Sequence, residues 1–192
     1  EEARTAGHAR EIAIPAEVLD ARQTAALDPG VRMDVAGSVH YPGDCHLAPD
    51  RLMASLQRRA ARAGVQFIWN AEVSGWRTGG KVVNALALRD GREIEADAFV
   101  LCAGAWSAGL AQKVGLRLPL QAGAGYSLTL ARPRQSPRLC AMLIEARVAV
   151  TPMGGTLRFA GTMELAGLNG TFSPARAQAI MDAVPRYYPE FG

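Results

Sequence analysis

Several stretches of this sequence bring together residue types that can do chemistry. His40 and His46 flank Cys45, and Asp44 and Asp50 bracket the same loop. Zinc sites and thiolate nucleophiles use such groups, but the spacing fits no zinc pattern and no acidic partner repeats with it. No metal site is expected, and the two aspartates read as turn-making and helix-capping residues. Ser127, Asp97 and His46 could be assembled into a nucleophilic triad on paper, yet no G-x-S-x-G elbow exists to present a serine. Gly123-Ala124-Gly125 begins like a dinucleotide fingerprint, but Leu128 stands where the third glycine belongs and no helix follows, so a bend within a sheet is the better reading. Leu101-Cys102-Ala103-Gly104-Ala105-Trp106-Ser107 is a stronger candidate. An apolar strand, a glycine and a helix in succession put small residues at the carboxyl end of a strand, where α/β folds bind ligands. Gly104 would let a backbone or cofactor approach without meeting a Cβ; a tight strand-to-helix turn with no ligand is the alternative. Arg158 and Glu164 lie six apart on one strand pattern and so share a face, read as a solvated sheet face carrying an exposed ion pair, with a buried face that needs pairing or a polar ligand as the alternative.

The elements that must position these residues follow from periodicity and punctuation. Pro15 opens a helix over Ala16 to Leu27, ended by Asp28-Pro29-Gly30; the first dozen residues carry no clear period. Val35 to Tyr41 reads as a strand. From Pro49 and Asp50 a helix places Leu52, Met53, Leu56 and Ala60 on one face, with Gly64 as its C′ residue. Strand patterns cover Val65 to Trp69, Ala71 to Arg77, Lys81 to Arg89 and Arg92 to Glu95, the middle two joined by a Gly79-Gly80 hairpin signal. Ala98 to Ala103 is a continuous apolar run that suits a strand buried on both faces of a parallel sheet, and it makes Cys102 an inert, buried thiol. A helix spans Trp106 to Val114. Beyond Gly115 the signals turn antiparallel: Pro119 to Leu130, Arg147 to Pro152 and Thr156 to Leu165, followed by a helix from Ser173 as N-cap and Pro174 through Val184.

Composition bounds the function classes. The chain has 192 residues, 49% of them hydrophobic and 20% charged, with a net charge of +3. That is a folded domain with enough apolar content for a core. Its 18 Asp and Glu are interspersed with 21 Lys and Arg, so no basic block marks a nucleic-acid footprint and nucleic acid is not an expected partner. Three widely spaced cysteines, without C-x-x-C, suggest a reducing compartment rather than a disulfide framework. No apolar run reaches the roughly 20 residues of a bilayer span. The reading is cytoplasmic, with peripheral attachment at the inner face of the membrane left open.

In order, these segments resemble the middle of the FAD-dependent D-amino acid dehydrogenases, and more broadly the superfamily of D-amino acid oxidase, glycine oxidase and sarcosine oxidase. Gly43-Asp44-Cys45-His46-Leu47-Ala48-Pro49 before the Arg-rich helix is similar to that family's entry into a flavin-domain helix, and Ala63-Gly64-Val65 to its exit. Asn70-Ala71-Glu72-Val73 resembles the segment whose valine main chain meets the adenine part of FAD, and Leu101 to Ser107 the strand end that lies against the dinucleotide. Gly125-Tyr126-Ser127-Leu128-Thr129 and Leu157 to Leu165 are similar to two strands of the substrate domain.

The resemblance implies a mixed α/β and α+β fold: part of a flavin-binding α/β domain over 43–114, and a mixed antiparallel-sheet substrate domain over 1–42 and 115–192. It implies FAD as cofactor, with Val73, Ala103, Gly104 and Trp106 toward it and Tyr126 and Arg158 toward a small-molecule amine or D-amino acid substrate. The chemistry would be oxidative deamination by hydride transfer to the flavin, giving a 2-oxo acid and ammonia, with quinone or oxygen as electron acceptor. No acid-base residue is assigned, because the cofactor carries the hard step. Family members open with a G-x-G-x-x-G unit that holds the FAD pyrophosphate and close with a segment bearing a substrate-carboxylate arginine, and this sequence contains neither. It resembles an internal portion of a longer enzyme, expected to bind FAD weakly and to be inactive by itself. Ala124 departs from the basic residue many relatives carry. A non-catalytic binding domain that kept the substrate sheet is the alternative.

Overall fold

The structure is a computed structural model that describes residues 2–168 and 170–190; the outer limits of the expected substrate domain, Glu1 and Gly192, lie outside the described residues. The chain forms two compact units: 1–53, 125–163 and 171–192 make the first, and 54–124 with 164–170 the second. These boundaries stand beside an expected division at 42/43 and 114/115.

The first unit opens with helix α1 (Glu2–Glu11), strand β1 (Glu17–Asp20), helix α2 (Ala21–Leu27) and strand β2 (Gly37–His40), β1 pairing antiparallel with β2 from Glu17↔His40 to Asp20↔Gly37. Helix α1 falls where the sequence carries no clear period, and one expectation is corrected here. Helix α1 has no apolar stripe to read because Ala6 is its only buried residue. The helix expected from Ala16 begins at Ala21, since Asp20 accepts the Gln23 N–H while the Gln23 side chain accepts the Asp20 N–H. That reciprocal capping box ends the strand and starts the helix within one residue, and its D-x-x-Q spacing was the available signal.

Helix α3 (Pro49–Arg62) forms as expected, and Gly64 follows it at φ 87°, the left-handed conformation of a C′ glycine. The chain passes from the first unit to the second within this helix, after Met53.

The second unit contains an antiparallel meander of β3 (Val73–Gly79), β4 (Val82–Leu88) and β5 (Glu93–Glu95), then a single 3-10 turn over Gly104–Trp106 and the short helix α4 (Ser107–Gln112). The Gly79-Gly80 hairpin is present, with Gly80 at φ 64°. Neither Val65 to Trp69 nor Ala98 to Ala103 joins a sheet. The expected buried parallel strand is therefore corrected: Val100 is 86% exposed and Cys102 is exposed as well. A strand forms only where a neighbour takes its N–H and C=O groups, and among the described residues none pairs with this run.

In the first unit the sheet order is β6 (Ala124–Leu130), β9 (Thr156–Glu164), β8 (Val148–Met153), β7 (Ala141–Leu143), with β7 antiparallel to β8 and β8 antiparallel to β9. Strand β7 was not legible beforehand, being three residues long. Helix α5 (Pro174–Ala183) covers one face, and Tyr126, Val148, Val150, Leu157, Phe159 and Ile180 form the core between them. Burying each of the larger side chains contributes about 1.5–3 kcal/mol. Gly161 faces this helix: a Cβ there would stand 3.0 Å from Val148 Cγ2 and 3.3 Å from Ile180 Cγ1. Close approach of α5 to β9 thus depends on glycine at that position. Ser173 precedes α5 as expected but makes no side-chain cap; its backbone N–H donates to the Tyr126 hydroxyl at 3.0 Å instead.

Candidate functional site

Two cavities take in residues singled out from sequence, one in each unit. In the second unit, a cavity of about 960 Å³ lies between β3 and the 98–110 segment, with Val73, Trp76, Val100, Ala103, Trp106 and Lys113 among its lining residues. Strand β3 supplies one wall. A register shift between Val73 and Gly75 interrupts its ladder with β4, and such bulges turn a strand and free main-chain groups. Three contacts hold the opposite wall. Trp76 Nε1 donates to the Leu110 carbonyl at 2.8 Å, the Trp76 ring meets Phe99 edge-on at 6.0 Å, and Lys113 Nζ donates to the Ser74 carbonyl. Arg89 and Glu72 form an ion pair of 2.9 Å beside the cavity, solvated enough to contribute at most about 1 kcal/mol.

Of the residues singled out from sequence, Val73, Ala103 and Trp106 line this cavity together. Gly104 sits between two of them at φ 54°, with open space where a Cβ would be. The position therefore requires glycine for its backbone conformation rather than for lack of room. Trp106 is 66% exposed, an uncommon cost for an indole that nothing covers. Cys102 also lines the cavity, a contribution hidden by reading it as core.

Tyr126 and Arg158 are not brought together. Tyr126 belongs to the core on the α5 face, 7% exposed, its hydroxyl donating to the Thr171 carbonyl at 3.4 Å and accepting from Ser173. Phe172 packs 5.6 Å from its ring and the Arg176 guanidinium carbon stands 6.0 Å from the ring centroid. Arg158 alternates with the core residues Leu157 and Phe159 and so occupies the other face. There it lines a second cavity of about 480 Å³ with Arg51, Ser127, Thr129 and Thr156. The exposed ion pair expected of Arg158 is corrected: its Nε is buried without a hydrogen-bond partner among the described residues. Thr162 at φ 50° interrupts the alternation that had placed Glu164 on the same face.

The loop around Cys45 leaves that thiol exposed, and Cys140 is exposed too. Among the described residues of the first unit Asp28 is the buried carboxylate, 2% exposed, accepting the Arg138 and Leu139 N–H groups at 2.6 and 3.3 Å. Its role is to tie the 138–139 segment to the end of α2.

With this fold and these cavities on the page, the comparisons assign the class: the chain belongs to the FAD dependent oxidoreductase family, whose model matches residues 1–192. Among individual proteins, it is 34% identical over 164 residues to a D-amino acid dehydrogenase of Paramagnetospirillum magneticum, covering 84% of this chain and 39% of that protein. It is 30% identical to the D-amino acid dehydrogenase of Bradyrhizobium diazoefficiens, covering 95% of this chain and 44% of that one. Among solved structures, glycine oxidase from Geobacillus kaustophilus superimposes with a TM-score of 0.80 at 22% identity, over 99% of this chain and 52% of that one. L-proline dehydrogenase from P. horikoshii does so with a TM-score of 0.79 at 13% identity, over 97% and 52%; at these identities the likeness is one of fold. The chain spans under half the length of the two dehydrogenases.

The second-unit cavity fits part of a flavin dinucleotide. Its walls are largely apolar, it is large enough for a planar aromatic group, and uncovered Val100 and Trp106 edge it. The sequence holds no G-x-G-x-x-G to supply a ring of main-chain donors for a pyrophosphate.

Proposed function

We propose that this chain forms part of a flavoenzyme that oxidatively deaminates D-amino acids, supplying the wall that faces the adenine end of FAD and the sheet of the substrate domain. The residues 43–114 are read as the flavin-domain part, and 1–42 with 115–192 as the substrate-domain part. The cavity shared by Val73, Ala103 and Trp106 carries this reading, because residues chosen from two separate stretches of sequence, 70–73 and 101–107, meet in it.

In that role the Val73 main chain and the apolar walls at Trp76 and Trp106 hold the adenine end, and Gly104 permits the tight turn beside it. When bound, FAD supplies the acceptor for the hydride leaving the substrate α-carbon. This chain's own residues bind and orient; none of them need move a proton. Arg158 is proposed to face substrate, whereas for Tyr126 the proposal is a supporting role behind the substrate sheet, since its hydroxyl is already engaged. The electron acceptor, quinone or oxygen, and a cytoplasmic place with peripheral attachment at the inner face of the membrane belong to the same proposal. No described helix is long and apolar enough to cross a membrane.

The test uses a longer protein that contains this segment together with a dinucleotide-binding unit. Purified, it should carry flavin absorption in the visible and reduce a redox dye with D-alanine, and comparison with and without oxygen assigns the acceptor. Ala103→Trp, which fills the cavity, should strip the flavin. Absence of flavin bands in the unsubstituted protein would favour the non-catalytic binding domain instead.

A further inference from the structure

We infer that Lys113 is a positioning residue for the wall of the second unit's cavity: from the end of α4 it clamps the bulge in β3 and so fixes the main chain beside Val73. What is positioned rests on the flavin reading of that cavity, whereas the clamp itself is made by contacts within this unit alone.

The bulge creates the need. Val73 pairs with Leu88 and Gly75 with Ala87, so Ser74 is left between two ladder positions without a partner of its own. A bulged residue keeps its polar groups but loses the neighbour that would bond them. Ser74 answers part of this itself, its hydroxyl donating to the Ala87 carbonyl at 3.0 Å. The Ser74 carbonyl accepts from Lys113 Nζ, 39 positions further along the chain.

Helix α4 is tied to β3 so that this ammonium reaches the bulge. Lys113 is its C-cap residue, and Leu110, three positions earlier, accepts the Trp76 indole N–H at 2.8 Å. The two bonds land on Ser74 and Trp76, and the Lys113 stem runs along Gly75 between them, its Cδ 3.7 Å from where a Cβ would stand. Val73, Ser74, Trp76 and Lys113 all line the cavity. Holding the Ser74 carbonyl therefore holds the backbone that follows Val73 in that wall. Glu72 and Arg89, the other charged residues in the lining, pair with each other at 2.9 Å, and among the described residues no carboxylate pairs with Lys113. Its ammonium is thus committed to a main-chain carbonyl, and a bond from a charged donor is of the stronger kind.

Lys113→Met keeps the stem and removes the donor. Lys81, the chain's second lysine, is exposed in the turn between β3 and β4 and serves as the control. In the 192-residue chain without flavin, amide hydrogen exchange over 73–76 should quicken about tenfold in Lys113→Met and stay as it is in Lys81→Met. In the longer flavin-containing protein, Lys113→Met should raise the FAD dissociation constant about tenfold, and Lys113→Arg, which retains a donor, should recover most of that loss. Unchanged exchange over 73–76, or a like change in Lys81→Met, would overturn the clamp. Quickened exchange with FAD held as tightly as before, or Lys113→Arg no better than Lys113→Met, would overturn the positioning role. Flavin missing from the unsubstituted longer protein would instead overturn the reading on which that role rests.

Discussion

In the first unit Leu157 and Val150 are 0% exposed and Ile180 1%, whereas in the second Val100 is 86% exposed, Trp106 66% and Trp69 64%. One sheet has a helix laid on its apolar face and closes a core. The other is a three-stranded meander accompanied by short α4 and by the part of α3 after Met53, which buries no residue, and among its described residues only Ala85, Leu88 and Ala111 are buried hydrophobics. The apolar residues of the two units are similar in kind. What differs is whether a helix covers the sheet, so the second unit's cavity offers apolar surface to a ligand or to further protein, while the first unit's sheet buries one apolar face against α5.

The sharpest test of that contrast is truncation on each side. Leu157→Ala should cost about 2–5 kcal/mol because it opens a cavity in a closed core. Val100→Ala should change stability by less than about 0.5 kcal/mol. Urea denaturation checks both, and comparable losses would abolish the distinction between the units.

A second effect is confined to the first unit and depends on pH. Burial, and then the Asp28 carboxylate, push the Tyr188 phenol up to about 12 from its ordinary 10.0. The folded state therefore retains a proton that the unfolded state releases. The stabilisation is whole below about pH 10 and disappears as pH rises toward 12, a loss of about 2–3 kcal/mol. Unfolding free energies at the two ends of this window should converge in Tyr188→Phe; an unchanged slope would place the titration elsewhere.

Smaller still are the helix starts. Asp20→Ala removes a reciprocal cap and should cost about 1 kcal/mol, while Ser173→Ala, which removes a hydroxyl that makes no cap, should cost under about 0.5 kcal/mol. Equal thermal shifts for the two would refute the cap assignment. The mildest perturbation is labelling. Cys102 should react with a thiol reagent in the native chain as readily as exposed Cys45, and in the longer flavin-containing protein it should be protected, because it lines the proposed adenine-side cavity. Slow reaction of Cys102 in the isolated chain would restore the buried strand.

Much of the local structure was legible because it depends on neighbours in sequence. The amphipathic period of α3, the Gly64 stop and the hairpin at Gly79-Gly80 are of this kind, as is the Pro174 start of α5. Strands β8 and β9 were legible from alternation. Ala98 to Ala103 was misread because its composition reports a preference for burial, and burial requires a partner that composition cannot name. The 16–20 segment was misread for the related reason that pairing with β2 outweighs a weak helical pattern.

The candidate site divides in the same way. By itself the sequence determined the family likeness, the glycine at 104 and the strand parity that sets Arg158 apart from Leu157 and Phe159, since each follows from residue type and spacing along the chain. Only the tertiary structure decided that Val73 and Trp106 share a cavity, that Tyr126 faces the core, and that Arg51 and Arg158 line one cavity. Those outcomes join residues tens of positions apart, and their positions depend on how layers pack and which faces they leave uncovered, to which a local pattern is blind.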